Sequence, residues 1–275
     1  MTVGHTLTRR AMLLRSGLTT VFVERRLPWR VEQSPVVQRW MASRYVQRER
    51  RLFGRLIHRG DLVFDIGANV GRKADAFRYH GARVVCVEPD ARNVSVLTAR
   101  FADDSRVQII TAGVGAVPGK EMFYPSTDPA RSTFARESMT ALGDGCQFQN
   151  GRPIDIVTLD TLIARHGRPR FIKIDVEGFE SQVLSGLSAP VPALCFEFHD
   201  ELWADVLACV SRLGEIGMNR YNVLLYPVGG HPAYHPLDRL YFPTSQTKDR
   251  LLARLSALPS PSAGDIYAFS DEAST

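Results

Sequence analysis

From Asp61 onward the chain alternates short apolar runs with amphipathic stretches, and that alternation restricts its fold more than any other feature. LVFDIGAN ends in a glycine turn and reads as a buried strand, followed by VGRKADAFRYHG as a helix closed by Gly81. ARVVCVEPD is the next strand, ended by Pro89; ARNVSVLTARFADD is a helix and VQIITAGVG a third strand. RFIKIDVEG, the helix FESQVLSGL, the strand ALCFEFH, the helix ADVLACVSRLGEIG and the strand YNVLLYP continue the pattern. The late run GDIYAFS is expected to close the sheet as an edge strand. Gly119 to Pro153 interrupt the alternation: KEMFYPS is expected as an added strand, ARSTFARES and DGCQFQNG as loops. A second irregular stretch runs from Pro227 to Pro243. Such loops at strand ends are where specificity resides.

Strands that are apolar throughout must be covered on both faces, and a strand–helix alternation does so with right-handed crossovers. The expected fold is α/β: a doubly wound, mostly parallel, Rossmann-like sheet with helices on both faces. A composition of 44% hydrophobic and 23% charged residues supports a large core and excludes a disordered chain.

Charge divides the chain in two. Residues 1–55 hold twelve arginines against three acids, a net of +9, whereas the remainder carries 22 basic and 26 acidic groups, a net of −4. The expected organisation is therefore a basic, helical N-terminal arm over 1–55 and one domain over 56–275. Leu13, Leu14, Leu18, Val21 and Phe22 recur at roughly helical spacing. They suit a helix packed on the body with a solvated arginine face, or one lying on an anionic membrane surface. Arginine dominates the basic residues of the whole chain, which favours the first reading, and no nucleic-acid partner is expected. Four scattered cysteines (Cys86, Cys146, Cys195, Cys209) form no CxxC pair, so reduced thiols and a cytoplasmic location are expected. The longest uncharged run, Tyr221 to Leu237, is broken by prolines and glycines, and charges interrupt the N-terminal apolar patch. Neither a membrane span nor a secretory signal is expected.

Two stretches carry chemistry. In the first, Asp65-Ile66-Gly67-Ala68-Asn69-Val70-Gly71, the glycines let a ligand approach main-chain N–H groups at a helix start. Glu88 stands 23 residues after Asp65, at the end of the next strand and before Pro89, where a carboxylate can accept both hydroxyls of an adenosine ribose. The dinucleotide pattern GxGxxG is not matched, which disfavours a nicotinamide oxidoreductase. The form D-x-G-x-N-x-G resembles motif I of class I S-adenosylmethionine (SAM) methyltransferases. That resemblance places the amino-acid end of SAM at the turn, with Asp65 near its cationic group, and Ala112, Gly113 and Val114 against the adenine.

The second stretch is FIKIDVEGFE, Phe171 to Glu180. Period-2 geometry sets Lys173, Asp175 and Glu177 towards one side. Ionisable groups on a buried strand must pair or bind something. Glu180 falls in the first helical turn, where the macrodipole tolerates an anion. FDIGANVG, VEPD, VTLDTL and IKIDVEGFE, in this order over about residues 61 to 225, are similar to the FkbM family of SAM-dependent methyltransferases. The resemblance implies the class I methyltransferase sheet and an O-methyltransferase acting on hydroxyls of small secondary metabolites, sugars or glycolipids. It puts SAM on Asp65, Gly67, Asn69, Gly71 and Glu88, with Asp175 and Glu177 at the reaction edge. Arg72 and Lys73 depart from the family pattern and bear on the methionine end of the site.

An aliphatic hydroxyl is a poor nucleophile, so a general base is expected among Asp175, Glu177 and His199. Lys173 would pair with Asp175 or stabilise a developing alkoxide. Asp175, Glu177, Glu197 and His199 are hard donors that would suit Mg²⁺ or Mn²⁺, but nothing in the sequence fixes their spacing across two strands, and no metal is assigned. Asp160 in TLDTL reads as a helix N-cap. A SAM-binding module without catalysis and an RNA methyltransferase using the arm are the competing readings.

Overall fold

The structure, a computed structural model, describes residues 46–141, 145–226, 245–258 and 262–274. The arm over 1–45 and the stretch from Pro227 to Pro243 lie outside the described residues. A helix over residues 46–53 (α1) precedes β1 (Leu62–Ile66), α2 (Arg72–Tyr79), β2 (Arg83–Val87), α3 (Ala91–Arg100), β3 (Val107–Ile110), β4 (Gly113–Val114) and β5 (Gly119–Phe123). Then come α4 (Arg136–Ala141), β6 (Arg152–Val157), α5 (Leu159–His166), β7 (Phe171–Ile174), α6 (Glu180–Ser185) and β8 (Ala193–His199). The chain continues through α7 (Trp203–Glu215), β9 (Arg220–Leu225), α8 (Lys248–Leu255) and β10 (Ala263–Phe269).

Seven strands form one sheet in the order β3-β2-β1-β7-β8-β10-β9. The first five are mutually parallel, and β10 runs antiparallel to both of its neighbours. The fold is the expected doubly wound, Rossmann-like one. Alternate side chains feed two cores, as strand geometry dictates. Phe64, Ile66, Ile172, Ile174, Leu194 and Phe196 face α5, α6, α7 and α8. Val63, Val84, Cys86, Phe171 and Cys195 face α1, α2 and α3. Phe53 of α1 packs edge-on against Phe77 at 4.8 Å between ring centroids, and against Phe171 at 5.9 Å. Lys73 of α2 pairs with Glu49 of α1. Residues 46–55, grouped by charge with the basic arm, thus share the core of the body.

Several local expectations are corrected. GDIYAFS does not form the edge: β10 lies between β8 and β9, and six of its seven residues are buried. Gly264 admits this close pairing, since a Cβ there would come within 2.1 Å of the Leu224 carbonyl oxygen. VQIITAGVG splits, β3 staying in the main sheet and β4 joining β6 and β5 in a second, three-stranded sheet. ARSTFARES is not all loop, because α4 begins at Arg136 and a 3₁₀ turn spans Pro129–Arg131. The hydroxyl of Thr158, not Asp160, caps α5, accepting from the Thr161 N–H at 3.1 Å; Asp160 accepts from the Ser188 N–H instead.

Candidate active site

The C-terminal tips of β1, β2, β7 and β8 border a cleft of about 220 Å³, and the Gly119–Ala141 insertion forms its other wall. The turn after β1 is shaped by contact. Gly67 has φ +75°, and a Cβ there would lie 1.8 Å from the Asp175 carbonyl oxygen, so only glycine lets the two tips touch. Asn69 also sits at positive φ, a conformation asparagine tolerates better than most residues. Its N–H donates to Glu88 Oε2 at 2.8 Å, and the Asp90 N–H donates to Oε1 at 2.8 Å. The two motif segments are thereby locked together, and the Glu88 carboxylate, which also accepts from the Asn93 side chain, is oriented at the cleft. Burial pushes its pKa up to about 7 against these N–H bonds.

Apolar groups continue the wall: Ile66, Val87, Ala112, Gly113, Val114 and Phe134. A Cβ on Gly113 would meet the Phe134 ring at 2.5 Å, so that glycine seats the aromatic wall. Phe134 in turn lies 4.9 Å from Phe123 and 5.4 Å from Phe179, centroid to centroid. The insertion is pinned at both ends. Arg92 clasps Asp90 and donates to the Ser126 carbonyl at 2.9 Å, and the Thr133 hydroxyl donates to the Glu177 carbonyl at 2.8 Å. The cleft thus combines glycine backbone, an oriented carboxylate and a flat apolar slot.

Among the expected cofactor residues, Gly67, Asn69, Glu88, Pro89, Gly113 and Val114 line the cleft. The others act beneath it. Ala68 packs in the core, and Gly71 (φ +81°) starts α2 where a Cβ would strike Phe101 and Leu97. Asp65 is 1% exposed under the turn, its pKa raised to about 7 by burial despite the nearby Lys173 ammonium. Lys73 points to Glu49.

At the reaction edge, extended geometry stops at Ile174 and Glu177 adopts φ +57°, so the expected Lys173–Asp175–Glu177 row is broken. Lys173 is fully buried. Its ammonium lies 3.0 Å from Asp175 Oδ2 and 3.3 Å from Asp265 Oδ1. Burial opposes both charges, but the pair prevails: the two carboxylates hold Lys173 well above its usual pKa, and Lys173 holds Asp175 below the carboxylate range. Committed to these carboxylates, Lys173 is not among the residues that line the cleft. Glu197 also lines the cleft, its pKa raised to about 7 by burial and then by Asp175. Glu177 is raised further, by burial and by Glu197. Glu180 is buried and raised to about 8, chiefly by burial, while accepting the Val176 N–H at 2.9 Å. His199 ends β8 with Nε2 3.5 Å from Glu197; burial lowers its pKa but the carboxylate wins and raises it. The edge therefore sets Asp175, whose pKa is lowered by Lys173, among carboxyls whose pKa is raised by burial.

Sequence reasoning weighed Glu197 only as a metal donor and did not place Phe134 or Asp265 in the site. For Asp265 a signal existed: an acid inside an apolar strand run needs a buried partner.

Residues 65–216, more than half the chain, match the family described as the methyltransferase FkbM domain. The chain belongs to the FkbM methyltransferase family. It thus carries a SAM-dependent methyltransferase domain. C-methyltransferase NovU of Streptomyces niveus is 34% identical over 115 residues, which are 40% of this chain and 26% of that protein. The chain therefore spans about a quarter of the length of that relative. The C-terminal domain of precorrin-6Y C5,15-methyltransferase from Rhodobacter capsulatus superposes with a TM-score of 0.39 at 12% identity, covering 79% of this chain and 85% of that one. A TehB-like SAM-dependent methyltransferase from Corynebacterium glutamicum gives 0.41 at 9% identity, covering 86% and 96%. Among the described residues no helix is long and apolar enough to cross a membrane.

Proposed function

We propose that the protein is an O-methyltransferase that moves the SAM methyl group to a hydroxyl of a small secondary metabolite, sugar or glycolipid. The observation that carries this reading is Asp175, a cleft-lining carboxylate kept ionised by the buried Lys173. The acceptor O–H turns acidic as its oxygen bonds to the methyl carbon, so a well-placed carboxylate can take the proton, and a positioned base is worth roughly 100- to 10,000-fold in rate. SAM supplies an electrophilic methyl carbon on a sulfonium. Glu88 accepts the ribose hydroxyls, the Gly67–Asn69 turn takes the amino-acid end and Phe134 flanks the adenine. Asp175 would take the acceptor's O–H proton, and SAM, when bound, would supply the methyl group and leave as a neutral thioether. Lys173 keeps the base aligned, and the insertion keeps water from the cleft.

A second reading is methylation of carbon, favoured by the likeness to a C-methyltransferase. The same carboxylate would then remove a C–H proton made acidic by a neighbouring carbonyl. Incubation with ¹³C-methyl SAM and a panel of glycosides, glycolipid headgroups and polyketide alcohols separates the two by the carbon shift of the product. A methoxy signal supports the proposal, and a C-methyl signal replaces it. Binding of S-adenosylhomocysteine without turnover on any acceptor favours a cofactor-binding module.

A further inference from the structure

We propose that Glu177, Glu197 and His199 form a divalent-cation site at the acceptor edge of the cleft. Each contributes one donor atom, and the three atoms lie within 4.8 Å of one another. With metal–ligand bonds of about 2.1 Å, donors on opposite corners of an octahedron sit about 4.2 Å apart and neighbours about 3 Å, so small side-chain rotations close this set on an ion. The donors come from two adjacent tips, the turn after β7 and the end of β8, and converge without help from an exposed loop.

A second observation points to a ligand. The His199 ring is 23% exposed, but its Nε2 is sealed from solvent and is met only at the long distance of 3.5 Å, by Glu197 Oε2. A buried ring nitrogen facing two carboxylates is arranged for something between them. Charge argues the same way. Asp175, Glu177, Glu180 and Glu197 crowd this edge, and the buried ammonium among them, Lys173, is already shared by Asp175 and Asp265. Two carboxylates and an imidazole suit Mn²⁺ or Mg²⁺ better than a thiophilic ion. Glu177 and Glu197 both line the cleft, so the ion's remaining positions face the acceptor space. An acceptor with adjacent hydroxyls could bind there through both oxygens. The role in transfer rests on the proposed methylation; binding of the ion does not.

Mn²⁺ alone, added to the chelator-treated full chain and followed by electron paramagnetic resonance and calorimetry, tests the site. One saturable ion per chain is expected. Glu197→Gln and His199→Gln, each confirmed folded by circular dichroism, should weaken it at least tenfold, while the exposed Asp155→Asn leaves it unchanged. No saturable Mn²⁺ binding by the folded wild type, or equal binding in either folded glutamine variant, overturns the site. S-adenosylhomocysteine is titrated in parallel. Lost metal with retained nucleoside sinks the cation site alone, and an absence of nucleoside binding sinks the methylation reading instead.

Discussion

Replacing Glu88 by glutamine changes two atoms and probes the cofactor cradle at its most constrained point. Both Glu88 oxygens accept a backbone N–H at 2.8 Å, from Asn69 and from Asp90. A glutamine keeps one acceptor and turns an NH₂ towards one of these donors. The ribose loses one charge-assisted hydrogen bond, about 1.5–3 kcal/mol, which is roughly a 10- to 150-fold loss of affinity. The stranded N–H costs the fold a further 1–3 kcal/mol or so. Calorimetric titration of S-adenosylhomocysteine into wild type and Glu88→Gln reads the first effect, and urea unfolding the second. Because burial raises Glu88 to about 7, wild-type affinity should fall as pH drops from 8 to 6, and the variant's should stay nearly flat over that range. Undiminished affinity in a folded Glu88→Gln protein would refute the assignment of this carboxylate to the ribose.

Gly67→Ala should unfold the turn or abolish nucleoside binding, because its Cβ meets the Asp175 carbonyl at 1.8 Å. Gly60→Ala has a similar φ but open space, and should cost only about 1–2 kcal/mol by urea unfolding. Lys173→Met leaves Asp175 and Asp265 buried without their cation and should destabilise by about 3–5 kcal/mol; equal stability would show that the network is solvated. Asp65 binds its proton more tightly folded (about 7) than unfolded, so its contribution is complete below about pH 4 and is lost as pH rises through 7. In Asp65→Asn, the fall in urea stability between pH 5 and pH 8 should shrink by an amount on the order of 2–3 kcal/mol at most.

The parts of the site legible in the sequence are those encoded locally. Asp65 to Gly71 is one strand–turn–helix, and Glu88 follows at the next strand end, so a few dozen residues and the period of a sheet suffice to bring them together. Gly71 shows the limit of that reading: its positive φ is used to start α2 against Leu97 and Phe101, away from the cleft. Glu197, His199 and Asp265 depend on strand order. Nothing in GDIYAFS says that it enters between β8 and β9, yet that insertion sets Asp265 beside Glu197 in register and brings it to Lys173. A strand buried over six residues carries the signal of an interior position without saying which one. Phe134 was hidden for another reason: the insertion has no periodicity, and its ring is placed by Phe123, Phe179 and the bare Gly113.

A crystal structure of the chain grown with S-adenosylhomocysteine tests the central claim most directly. The nucleoside should occupy the cleft with both ribose hydroxyls on Glu88, the homocysteine end over the Gly67–Asn69 turn and the sulfur facing Asp175. A nucleoside bound elsewhere, or lying in the cleft with its ribose turned away from Glu88, would contradict it.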